Sequence, residues 1–174
     1  MTPLDTGRDK VYVEQERFFS SLTPGRGAWQ HPSITLERAE ELVANLCAHF
    51  KVPELAVTKK NQPIQAAAYS RKFRTIRLYG ISPKWVLLHE FAHALVDWRV
   101  IQFASQYEIE VSEVTKTIAG HGPAFLQAYI DVVEAQWGHV DGLVDSFKTH
   151  MTNKTGITPS NIVEEWYSNL SLVA

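Results

Sequence analysis

Cysteine is nearly absent: Cys47 stands alone in a chain of 174 residues, which rules out an internal disulfide and a cysteine-built zinc ribbon. Any metal must therefore be held by histidine, aspartate or glutamate. Long apolar runs are missing too. No stretch approaches the roughly eighteen residues that a membrane-spanning helix needs, and Asp5, Arg8, Asp9 and Lys10 occupy the place of a signal peptide's apolar core. The expected address is cytoplasmic, with no membrane partner. Repeats, low-complexity tracts and Pro/Ser-rich linkers are also lacking, so the chain reads as one domain over residues 1–174. With 45% hydrophobic and 21% charged residues, it has enough apolar surface to close a core, and disordered classes are excluded.

A formal charge of -2 conceals an uneven distribution. Lysines and arginines crowd the stretch from Lys51 to Lys84, where Glu54 is the only acid, while acids dominate from Glu90 to Asp145. A basic stretch of this kind can serve nucleic acid, but it also suits the solvated edge of a sheet, and the second use is the expected one.

The hydrophobic spacing predicts helices over Arg8–Leu22 and Leu36–Phe50, the latter behind a Thr35 cap. Cys47 falls on the apolar stripe of the second helix and reads as a core residue. Three short strands are expected around Leu55–Val57, Ile64–Tyr69 and Thr75–Tyr79, separated by turn-forming residues. Ser82-Pro83 opens a helix to about Trp98, Pro123 one to Trp137, His139–His150 forms another, and Thr158-Pro159 starts a last one to Leu170. Residues 99–119, rich in Val, Ile and Thr, read as strand or irregular chain.

His89-Glu90-Phe91-Ala92-His93 has the H-E-x-x-H pattern. Residues four apart on a helix lie about 40° apart around the axis, so His89 and His93 can face one metal ion. Zinc suits imidazole ligands, and Glu90 lies beside them, where it can take the proton of a water that the ion activates. Trp85, Leu88, Ala92 and Leu95 are expected to face the core while His89, Glu90 and His93 share the opposite, polar side. A third ligand must come from farther along the chain, because Val96 and Arg99 stand where the compact metzincin pattern requires Gly and His. His121, between Gly120 and Gly122 and just before Pro123, is the first choice. His139, Glu134, Glu108, Glu110 and Glu113 are the competitors. Asp97, one turn beyond His93, either orients an imidazole or is a solvated acid. Tyr69, Tyr79 and Tyr107 are candidate donors to an oxyanion. Trp29, Trp85, Trp98, Trp137 and Trp166 read as core and capping residues.

His89 to His93 followed by His121-Gly122-Pro123-Ala124-Phe125 resembles the SprT-like zinc metallopeptidases, in which a third histidine in an H-G-x-x-F segment completes the site. Thr75-Ile76-Arg77-Leu78 is similar to that family's strand before the active helix, and Val86-Leu87-Leu88 leads into the motif in the same way. The resemblance covers residues 36–137. Arg8 to Tyr12 and Gly138-His139-Val140 are similar to a smaller set of uncharacterised metallohydrolases with the same core. The resemblance implies an α+β, zincin-like fold with a short three-stranded sheet, an H-E-x-x-H helix and further helices at both ends. It implies one catalytic Zn2+ held by His89, His93 and His121, with Glu90 catalytic and a peptide or protein as substrate. The extra zinc-binding or basic tails of members that act on DNA-bound proteins are absent here. The other reading of the same residues is a zinc-stabilised binding module without turnover. For an enzyme, the strand Ile64–Tyr69, with its small Ala66-Ala67-Ala68 run, is the expected edge for an extended peptide.

Overall fold

The computed structural model describes residues 7–22, 33–60, 67–80 and 82–171. Among these, seven helices surround a small mixed sheet, an α+β arrangement in which helix predominates. The elements are α1 (Arg8–Ser21), α2 (Leu36–Phe50), β1 (Ala56–Lys60), β2 (Ala68–Ser70), β3 (Thr75–Tyr79), α3 (Lys84–Gln106), α4 (Val111–Thr117), α5 (Pro123–Trp137), α6 (Leu143–Thr155) and α7 (Ile162–Ser171). No helix among the described residues is long and apolar enough to cross a membrane.

β3 is the central strand, parallel to β1 and antiparallel to β2. Alternation explains its place: Ile76 and Leu78 are fully buried while Arg77 points to solvent. α3 packs against β2 and β3 and pairs with α5, so that Phe91, Leu95, Phe125, Leu126 and Tyr129 form the middle of the core. α1 lies mainly on α6, where Phe18 and Phe19 meet Phe147. Cys47 is buried in this core, and burial pushes its thiol pKa up, as expected of an inert packing residue.

Several expectations need correction. α3 does not stop near Trp98 but runs on to Gln106, and Val111–Thr117 is helical, so 99–119 holds no strand and is irregular only at 107–110 and 118–119. Val100, Phe103, Ala104 and Val114 are buried in this region, and their packing outweighs the strand preference of the Val, Ile and Thr around them. α3 is not two-sided either. Leu87 to Ala92 are all buried, the polar His89 and Glu90 included, as befits a helix enclosed by neighbours. α6 begins at Leu143 after the left-handed Gly142, later than His139. α7 begins at Ile162 because Asn161 and Glu164 exchange side-chain to backbone hydrogen bonds at 3.0 and 3.2 Å, a capping box stronger than the Pro159 signal. Leu22, the last residue of the helix expected over Arg8–Leu22, is 47% exposed just past the end of α1, whereas Glu14 and Gln15 are buried within it. Of the strand expected over Ile64–Tyr69, residues 64–66 lie outside the described residues, as does Trp29.

Many of the basic residues of the 51–84 stretch serve the fold. Lys59 bonds Ser33 Oγ at 2.6 Å and also the Ile34 carbonyl, Arg74 reaches the Pro53 carbonyl at 2.6 Å, and Lys84 sits over the Trp137 ring.

Candidate metal centre

His89 and His93 are neighbours on α3, one turn apart, and His121 comes from the loop before α5. One ligand atom from each of the three lies within 4.8 Å of the other two. His89 Nε2 and His121 Nε2 are 3.1 Å apart. No other side chain joins the group among the described residues, and the competing Glu108, Glu110, Glu113, Glu134 and His139 are all exposed elsewhere. Three imidazoles converging on one point form a donor set suited to a divalent transition metal.

The two helix-borne rings are also in the right charge state. Burial, with the neighbouring histidines adding to it, holds His89 well below the ordinary imidazole pKa, and burial next to His121 takes His93 down to about 3. Near neutral pH these rings are unprotonated and can offer lone pairs. Phe125 packs beside all three at ring distances of 4.4 to 4.9 Å, an apolar wall that limits their movement.

The loop bearing His121 is fixed by a residue that gave no sign of such a role in the sequence. Glu165 of α7, 4% exposed, accepts hydrogen bonds from the N–H groups of Ala119 (2.9 Å) and Ala124 (2.6 Å), on either side of His121. Its carboxylate thereby also caps the N-terminus of α5, where the helix dipole favours an anion. Gly122 leaves it room: a Cβ there would lie 2.7 Å from Glu165 Oε1. Gly7, before α1, is similarly confined, since a Cβ would come within 2.5 Å of the His121 carbonyl oxygen.

Glu90 is 2% exposed and lines a cleft together with His93 and His121. Its Oε2 accepts the Tyr69 N–H at 2.7 Å, and the Tyr12 hydroxyl approaches Oε1 at 3.4 Å. Burial nevertheless wins over these bonds and raises its carboxyl to about 7. Because the Tyr69 N–H points at Glu90, the Tyr69–Ile76 pair does not exchange ladder bonds.

The cleft holds about 380 Å³ and is lined by Arg8, Tyr12, Ala67 to Tyr69, Arg71, Glu90, His93, Asp97 and the 118–121 segment, among others. Asp97 is neither bonded to an imidazole nor solvated. It makes a two-pronged ion pair with Arg71, one arm at 2.7 Å, and so ties the β2–β3 turn to α3 at the cleft rim. Of the three tyrosines named as oxyanion donors, Tyr69 lines the cleft, and burial with Asp97 nearby raises its phenol to about 12, so it stays protonated. Tyr107 is exposed against Phe103, and Tyr79 ends β3 away from the cleft lining. Tyr12, absent from the sequence-based candidates, is the other tyrosine in the cleft. It stacks on His89 at 4.4 Å and is tilted against His121 at 5.5 Å. Trp85, Trp98, Trp137 and Trp166 pack against the core and do not line the cleft.

No family model, curated protein or solved structure matches the chain.

Proposed function

We propose that this chain is a zinc-dependent hydrolase of peptide or other amide bonds, with a zincin-like fold and kinship to the SprT-like metallopeptidases. The observation that carries the reading is the convergence of His89, His93 and His121, with Glu90 lining the same cleft as His93 and His121. The donor set fits zinc: three imidazoles, two of them on one helix turn and held unprotonated by burial, with no fourth protein ligand in the group among the described residues. Bound there, zinc would supply Lewis-acid polarisation of a water and of the substrate carbonyl.

The chain's own residues account for the proton chemistry. Glu90 takes the proton of the attacking water and returns it to the departing amine nitrogen. The Tyr69 N–H and the Tyr12 hydroxyl hold its two oxygens in place. The phenol of Tyr69, which stays protonated, is the cleft's donor for an oxyanion. An extended peptide would lie along β2, since Ala67, Ala68 and Tyr69 line the cleft with Glu90.

Glu90→Gln is the decisive variant. It should retain zinc by metal analysis while hydrolysis of a peptide library falls by about 10²- to 10⁴-fold, the usual worth of a general base. His121→Ala should lose the metal. Full hydrolysis by a zinc-loaded Glu90→Gln protein would remove Glu90 from the mechanism, and a zinc-loaded native chain that cleaves nothing would favour a metal-stabilised binding module.

A further inference from the structure

α1 reaches the histidine triad from a part of the sequence more than seventy residues away, and it brings a polar side chain into the core on the face that carries Val11, Phe18 and Phe19. We propose that this residue, Gln15, is the positioning residue that presents His89 to the metal. The proposal rests on reading the triad as a metal site.

Gln15 and His89 are both 0% exposed, so no solvent competes for either. The side-chain oxygen of Gln15 lies 2.8 Å from His89 Nδ1, and His89 Nε2 faces His121. A neutral imidazole has one proton: the nitrogen that donates it cannot ligate, and the other holds the lone pair. By accepting from Nδ1–H, Gln15 places the lone pair on Nε2, the nitrogen on the triad side. Turning the amide over would put its NH₂ against Nδ1, force the ring proton onto Nε2 and block that nitrogen as a ligand. Stacking of Tyr12 on the same ring at 4.4 Å fixes its plane, so α1 controls both the orientation and the tautomer of His89.

The hydrogen bonding on Gln15 is incomplete. Its amide nitrogen is buried with no partner, an arrangement that costs free energy and that a leucine at this core position would avoid. The bond to His89 is thus the one polar contact that this amide makes among the described residues, and the structural cost has its return at the triad.

Zinc affinity is measured by competition with a chromophoric chelator for the native chain, Gln15→Leu and Gln15→Glu, with urea unfolding of each zinc-free protein as the folding control. Gln15→Leu should fold at least as stably as the native chain yet bind Zn2+ about ten- to a hundredfold more weakly, while Gln15→Glu, which still accepts from Nδ1–H, should recover most of the affinity. Long-range proton–nitrogen NMR of the zinc-free native chain should find the His89 proton on Nδ1, and in Gln15→Leu a population shifted to Nε2. Unchanged affinity in a folded Gln15→Leu protein, or a native His89 carrying its proton on Nε2, overturns the proposal. A native chain that takes up no zinc overturns the metal site instead, and the NMR result still decides the role of Gln15.

Discussion

Replacing Glu90 by glutamine in the chelator-treated, zinc-free protein should raise its stability, and by more as the pH rises. Burial lifts the Glu90 carboxyl from its ordinary 4.5 to about 7, so between those values the folded chain keeps a proton that the unfolded chain releases. Stability falls as the pH rises wherever the unfolded state binds fewer protons, so this group favours the fold below pH 4.5 and ceases to do so above 7. At about 1.4 kcal/mol per pH unit, the gap is worth about 3 kcal/mol above neutrality. Glutamine can still accept the Tyr69 N–H and carries no charge to desolvate, so the variant escapes that cost. His89 and His93 act in the opposite direction: held below the ordinary 6.5, they cost stability as the pH falls through that value. Both proteins carry them, so they cancel in the comparison. Urea unfolding of the pair should give a difference below about 1 kcal/mol at pH 5 and about 3 kcal/mol at pH 8.5. A difference that does not change with pH, or a variant less stable at pH 8.5, would refute the argument that desolvation governs Glu90.

Two further outcomes follow from the same geometry. Glu165→Ala leaves the N–H groups of Ala119 and Ala124 without their acceptor and should cost about 2 to 4 kcal/mol in urea unfolding, with looser zinc retention because the His121 loop hangs from those bonds; a variant of native stability and zinc content would show that the loop holds itself. Ala67→Pro, just before β2, removes the N–H of a residue that lines the cleft and should slow peptide cleavage with zinc content intact, whereas unchanged cleavage by the folded variant would count against this segment as the docking edge.

What the sequence alone determined is what depends on short range. His89 and His93 share a face because four residues make about one helical turn, and that holds wherever the helix is packed. The Thr35 cap and Pro123 marked the starts of α2 and α5, and alternation around Ile76 and Leu78 marked β3. Gly120 and Gly122 around His121 signalled a tight turn, which singled out the third histidine without saying what it meets. Tertiary packing decided the rest. The helical state of 99–106 and 111–117 depends on Val100, Phe103 and Val114 finding neighbours, against their local strand preference. Asp97 pairs with Arg71 across 26 residues, Glu165 reaches Ala119 across 46, and Gln15 meets His89 across 74, none of them separations that helical or strand periodicity can report. One trace of the last contact was present, since Gln15 sits between Val11 and Phe18 on the apolar stripe of α1, where a polar residue must find a buried partner. Which partner it finds is set by how α1 docks, because a side chain's hydrogen-bond capacity belongs to the residue but its satisfaction belongs to the fold.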